Sequence, residues 1–384
     1  MLKLNPYFFV GFMINILMLP MVFSVSLQGL SFVYPLLLVF IFIFKNDNPK
    51  INLPYVFLFL IFATLYVATS LTSPAQIYDF TFYKVFFFLI KCVSMFFIGM
   101  LVSQHTESFI KGYITSLFIM FFVYCIYTIF LFRSGVTLSV NNRIEIGDSN
   151  PIWVSRYVLE CLIFFIAIFG CRSIKTNVVG LCSFIISFLS GSKGPLLAFL
   201  VTQFLTSSLK NKIFISISII FISIISYYLF ISFLPQELIS FIEQRFFRLV
   251  PDGASEQFVK ESRDVVWLRV IEMSFSNANN FLFGYGVGES YQLLGASPAR
   301  YYPHNIFFEL LFENGFICMF LFSIIIVLAF VNCNLFTGLM FFHIINALFS
   351  GDILLNEKIF LFIGLSLFSP NHIKIFLNGK NCKF

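Results

Sequence analysis

Three short stretches of the 384-residue chain hold the residue types that do chemistry. Ser190-Gly191-Ser192-Lys193-Gly194-Pro195 sets one lysine between two apolar runs, with no carboxylate near it in sequence. Glu261-Ser262-Arg263-Asp264-Val265-Val266-Trp267 sets an arginine in a polar stretch, and Tyr302-Pro303-His304-Asn305 leads straight into an apolar run that contains Glu309 and Glu313. A fixed Lys or Arg at a membrane surface is the natural partner of a lipid phosphate or pyrophosphate. Histidine titrates close to working pH and is a suitable base toward a hydroxyl. Each stretch also has a plain reading: Lys193 as a snorkelling residue at a span end, Arg263 as one half of a surface pair with Asp264 or Glu261, and His304 as a cap for the helix that follows.

Other chemistries find little support. Gly284, Gly286 and Gly288 form a flexible turn, but no strand precedes them and no Lys-Ser/Thr follows, so a nucleotide loop is not expected. The histidines His105, His304, His343 and His372 are scattered, so no metal site and no cofactor is expected. The eight cysteines show no paired CxxC spacing and read as packing residues. Ionisable residues inside the apolar runs, chiefly Lys84, Lys91, Glu160 and Glu309, are few, and the runs read as scaffold. No nucleic-acid partner is expected.

The elements that must position these residues are membrane spans. The chain is 59% hydrophobic and 20% aromatic with 58 Phe, its mean hydropathy is +0.94, and only 11% of it is charged. A soluble domain averages about 25% charged residues, so a water-soluble fold is excluded. Long unbroken runs, such as 213–234, exclude the ten-residue alternation of a membrane barrel. An all-α integral membrane protein with about twelve spans is expected, roughly at 7–23, 29–44, 51–71, 83–102, 112–132, 153–170, 177–190, 195–209, 213–234, 306–330, 335–349 and 358–369. Phe23-Ser24-Val25-Ser26 after the first run offers no convincing cleavage site, and the first helix is expected to serve as the insertion signal.

Starting the N-terminus in the cytoplasm puts Lys3, Lys45, Lys50, Lys111, Arg172, Lys175, Lys210, Lys212, Lys374, Lys380 and Lys383 all inside, so both termini are expected to be cytoplasmic. One segment, 235–304, about 70 residues long, then lies outside as a large periplasmic loop within a single polytopic domain, 1–384. It holds Arg245, Arg248, Lys260, Arg263, Arg269 and Arg300 against eight carboxylates. Pro235 to Leu249 reads as a helix on the membrane surface, and about Ser262 to Asn277 as a second helix with Trp267, Val270 and Ile271 on its apolar side. A smaller outer loop carries Arg143, Glu145 and Asp148.

At these positions the sequence resembles the O-antigen polymerase and O-antigen ligase superfamily (Wzy and WaaL). The resemblance rests on Ser192-Lys193-Gly194 before a span, Arg263 to Trp267 in the large loop, Gly284-Tyr285-Gly286 after it, and His304-Asn305 with Glu313 and Gly315 entering the next span. Asn150-Pro151-Ile152 followed by Arg156 adds to it, and the motifs span roughly residues 140 to 325. The resemblance implies a GT-C-like, metal-independent glycosyltransferase of the bacterial inner membrane, active on its periplasmic face in lipopolysaccharide biosynthesis. It implies that Lys193 and Arg263 hold the pyrophosphate of an undecaprenyl-pyrophosphate-linked oligosaccharide, with His304 near the acceptor. Arg143, Arg156, Arg269 and Asn305 are candidate additional substrate contacts. The family more often has Arg where this chain has Lys193, and Lys supplies a point charge without the bidentate fork.

The expected activity is that of a polymerase, which transfers the growing glycan to the non-reducing end of a new repeat unit, with membrane lipid and a chain-length regulator as candidate partners. The nearest rival is the ligase, which transfers the glycan to lipid A core. A rival of another class is a lipid-linked oligosaccharide flippase or transporter, which would line its spans with charge and keep its outer loops short.

Overall fold

The structure, a computed structural model, describes residues 5–17, 31–44, 52–72, 78–133, 150–170, 173–206, 263–294, 303–332, 335–369, 374–377 and 380–383. Among these the chain is helical apart from its turns and one short antiparallel hairpin, Lys374–Leu377 with Lys380–Lys383. Four helical stretches are long and apolar enough to cross a membrane: Leu53–Leu71, Phe80–Phe130, Pro151–Phe169 and Ile306–Val331. Shorter apolar helices cover Pro6–Ile16, Val33–Phe44, Ile174–Leu189, Leu335–Phe349 and Lys358–Phe368. Exposed Phe42, Ile43, Phe57, Ile126, Phe130 and Leu181 stud their outer faces, a surface that water would penalise and acyl chains accept. The expected span 213–234, the surface helix 235–249 and Arg143 lie outside the described residues.

The described elements are named in chain order: α1 Pro6–Ile16, α2 Val33–Phe44, α3 Leu53–Ala68, α4 Tyr78–Phe87, α5 Ser94–Val102, α6 Thr106–Arg133, α7 Pro151–Phe169, α8 Ile174–Leu189, α9 Lys193–Thr206, α10 Arg263–Ser274, α11 Ala278–Phe283, α12 Ser290–Leu293, α13 Ile306–Val331, α14 Leu335–Phe349 and α15 Lys358–Phe368. The runs expected at 83–102 and 112–132 form one helical stretch, with a π segment at Phe88–Val93 and a 3-10 turn at Ser103–His105. That turn falls where the break between the two spans is expected.

Contacts divide the chain into two compact units. The first comprises Met1–Gly11, Gln28–Gly112 and Ala254–Phe384. Its centre is aromatic: Phe59 stacks on Phe96 with ring centroids 3.6 Å apart, Phe62 on Phe322 at 5.3 Å, and Phe88 meets Phe360 edge-on at 6.0 Å. α5 and α15 cross at Gly99 and Gly364, where a Cβ on either residue would strike the backbone of the other helix. Small residues at a crossing allow this approach, and it substitutes for the hydrophobic drive that lipid does not supply. At one end of this unit Ser369 bonds the carbonyl of Ser103 at 3.4 Å and His105 stacks on Tyr7.

The second unit comprises Phe12–Leu27 and Tyr113–Gly253. α7 starts cleanly because the Asn150 side chain accepts from Ile152 N–H at 3.0 Å and Pro151 occupies the first turn, where no N–H is needed. It packs on α8, where Ser183 returns its hydroxyl to the carbonyl of Val158 at 2.9 Å. Buried Glu160 accepts the hydroxyl of Tyr113, whose carbonyl in turn accepts Asn15 at 3.2 Å.

In α10 the apolar side is narrower than expected. Val270 is fully buried with Val266 and Met273 packed beside it, whereas Ile271 is exposed, because the helix turns Val270 and not its neighbour toward Phe312 and Leu294.

Candidate functional site

Three of the sequence motifs, Arg263 to Trp267, Gly284-Tyr285-Gly286 and His304-Asn305 with Glu313, converge in the first unit. The indole of Trp267 donates to the carbonyl of Pro303 at 2.8 Å and its ring lies 5.5 Å from that of Phe308. Arg263 stands one helical turn before Trp267 on the same face of α10, exposed at the start of the helix. His304 adopts φ 58, a left-handed conformation that costs a non-glycine residue about 1 kcal/mol and that concentrates at functional sites. The cap of α13 is Asn305: its side-chain oxygen accepts from Phe307 N–H at 3.0 Å and Phe308 N–H at 3.3 Å. Capping therefore falls to Asn305, and His304 stands in the turn before it.

α13 is two helices. Gly315, with φ 77 and ψ 174, breaks it after its first nine residues. The break withdraws the amides that would have bonded the carbonyls of Phe312 and Glu313, and these must be satisfied elsewhere. The glycine loop satisfies them: Tyr285 N–H donates to Phe312 O and Gly286 N–H to Glu313 O, both at 2.9 Å. Gly284 allows this contact, since a Cβ there would overlap the backbone of Glu313 and Gly315, and one on Gly315 would overlap Leu282 and Phe283. Tyr285 also stacks on Phe312 at 4.8 Å and donates its hydroxyl to Met273 O at 2.9 Å. The expected flexible turn is thus a clamp. Thr81 of α4 bonds Val287 O at 2.9 Å from the other side.

Behind the clamp lies a buried charge cluster. Lys84 of α4 pairs with Glu309 and, at 2.6 Å, with Glu313, all three side chains at most 2% exposed. Ser290 donates to Glu313 at 2.7 Å, Ile353 N–H to Glu309 at 3.0 Å, and the Asn314 amide bonds Tyr66 O and the Thr69 hydroxyl. Glu309 and Glu313 sit one turn apart on the half-helix that begins at His304-Asn305. Lys84 and Glu309 were legible as rare charges inside apolar runs; their partnership, and the places of Ser290 and Glu289 beside it, were not. The available signal was the spacing: two carboxylates four apart in an apolar helix require a cation.

The remaining candidates are dispersed. Arg269 donates to Leu294 O at 2.7 Å and holds the end of the clamp segment. Lys193 and Arg156 belong to the second unit. Lys193 is exposed as the first residue of α9, after a turn in which Gly191 has φ 61 and Ser190 bonds Ser187 O at 2.8 Å. Arg156 is buried in α7 one turn before Glu160. Among the described residues no group of three His, Cys, Asp or Glu is arranged to hold a metal.

Fold and site together define a helical membrane protein that presents basic and histidine side chains at helix starts, beside a broken helix clamped by a glycine loop. Residues 178–323 match the O-antigen ligase family, and this stretch holds Lys193, Arg263, Trp267, the three loop glycines, His304 and Glu313. The match supports placing the chain in the O-antigen polymerase and ligase superfamily. No curated protein matches the chain.

Proposed function

We propose that the protein is an O-antigen polymerase of the bacterial inner membrane. It takes the growing glycan from undecaprenyl pyrophosphate and transfers it to the non-reducing sugar of a new repeat unit on the periplasmic face. The observation that carries this reading is that Lys193 and Arg263 each open a helix. A helix start presents unpaired N–H groups and a positive partial charge, and a basic side chain beside them adds to a surface that suits an anion. Both positions fall within the family match, and a pyrophosphate is an anion of the right charge.

In this reading the bond between the anomeric carbon and the pyrophosphate oxygen breaks, with its electron pair going to the pyrophosphate. Lys193 and Arg263 stabilise that growing charge. The acceptor hydroxyl oxygen bonds the anomeric carbon from the opposite face, with inversion, and its proton passes to His304. The donor linkage carries the driving force, so the step calls for no nucleotide and no metal. The proposal includes a single GT-C-like domain of about twelve spans with both termini cytoplasmic, the loop 235–304 periplasmic, and a chain-length regulator as partner.

The test is deletion of the gene followed by electrophoresis of the lipopolysaccharide. Loss of the ladder with core plus one repeat unit retained supports the polymerase. The second reading, an O-antigen ligase acting on lipid A core, is favoured by the description of the matched family; it predicts loss of all O-antigen, with polymer accumulating on the lipid carrier. Unpolymerised precursor confined to the cytoplasmic side would instead indicate a transporter.

A further inference from the structure

Glu289 is a buried carboxyl that the transfer reaction does not use. It closes the glycine clamp, one residue before Ser290, which bonds Glu313. Its side chain is 1% exposed, and among the described residues neither carboxyl oxygen has a hydrogen-bond partner. Charged and titratable groups on the elements that the clamp contacts are Glu309 and Glu313 on α13, Lys84 on α4, Arg269 on α10, and Tyr285 in its own loop. Lys84 is already bonded to Glu309 and Glu313, and Arg269 is bonded to Leu294 O. An ionised Glu289 would therefore be a buried charge with no counter-ion among the described residues, next to the carboxylate of Glu313, and burial of that kind is strongly disfavoured.

We propose that Glu289 is a proton-binding site, and that the proton it holds locks the glycine clamp onto the broken helix. When the carboxyl ionises, its O–H bond breaks and the proton passes to water. The remaining carboxylate repels Glu313, and the clamp loosens from the carbonyls of Phe312 and Glu313. Burial, reinforced by the Glu313 carboxylate, pushes the Glu289 carboxyl from an ordinary 4.5 up to about 7. The clamped state thus binds the proton more tightly than the open state does. Clamping is strongest below the ordinary value, weakens as pH rises toward about 7, and levels off above it.

The inference is independent of the glycan chemistry, and its test does not read transfer. Hydrogen exchange of the purified full-length protein in lipid nanodiscs, corrected for the intrinsic pH dependence of exchange, follows the amides of Tyr285 and Gly286. Their protection is expected to fall about tenfold per pH unit between about 5 and 7 and then level off, and to be flat with pH in Glu289→Gln. Wild-type infrared difference spectra between acid and alkaline pH give a second measurement that does not depend on how the variant folds. They are expected to contain a buried carboxylic-acid band that titrates near 7. PH-independent protection in the wild type, the same slope in Glu289→Gln, or the absence of a carboxyl titrating above the ordinary range would each overturn the proposal.

Discussion

The indole N–H of Trp267 donates to the carbonyl of Pro303 across 2.8 Å, so the residue four places after Arg263 holds the residue immediately before His304. Two motifs about 35 residues apart in sequence thereby become one local structure, in which a helix start bearing an arginine is tied to a turn bearing a histidine. Trp267→Phe keeps an aromatic ring against Phe308 but loses the donor. A lost hydrogen bond costs about 1 kcal/mol, and the unsatisfied carbonyl adds to it. Transfer should fall about tenfold, with the amount of protein in the membrane unchanged, as read from ladder length against immunoblot.

Strain at His304 separates stability from activity. Glycine accepts φ 58 without the steric cost that a side chain pays there. His304→Gly should therefore still accumulate in the membrane while abolishing the long ladder, as should Arg263→Ala. A normal ladder from either variant would remove that residue from the mechanism.

The interlocked glycines give a graded test of the clamp. Gly284→Ala and Gly315→Ala each drive a Cβ into backbone and should prevent accumulation of monodisperse protein in detergent. Gly170 also has positive φ, 78, but among the described residues no atom beyond its chain neighbours and its own helix backbone lies within 4 Å of a Cβ built there. Gly170→Ala should cost about 1–3 kcal/mol, through backbone conformation alone.

Lys84→Met leaves Glu309 and Glu313 buried without their cation. Removing one partner of a buried ion pair destabilises by about 3–5 kcal/mol because an uncompensated charge stays buried, and neutralising the remaining partners removes that charge. The triple variant Lys84→Met, Glu309→Gln, Glu313→Gln should recover most of the thermal stability that the single variant loses. Failure of the triple to recover it would mean that Lys84 stabilises through something other than these two carboxylates.

Much of the fold was legible because a membrane demands a coarse signal: an apolar run long enough to cross. The helices from Leu53, Pro151 and Ile306 begin within a few residues of where the hydropathy begins. The candidate residues were legible by type, since Lys193, Arg263 and His304 are polar residues set beside long apolar stretches. The break at Gly315 was not legible, because a glycine in an apolar run is ordinary in a membrane helix and only the contact with Gly284 explains its φ. The ion cluster was hidden for a related reason. Hydropathy scores Lys84 and Glu313 as isolated defects in separate spans, and no local pattern says that residues 229 positions apart share a hydrogen bond.

The kink in α13 also changes what the bilayer meets. Beyond Gly315 the helix has about 16 residues and a rise of about 24 Å, less than the roughly 30 Å of hydrocarbon in a typical bilayer. The remaining depth is made up by the half-helix from Ile306 and the clamp bonded to it, whose backbone groups satisfy each other and need nothing from lipid. Acyl chains beside this helix therefore meet a continuous span over most of the depth and a clamped turn over the rest, and without the clamp the short helix would force the bilayer to thin locally.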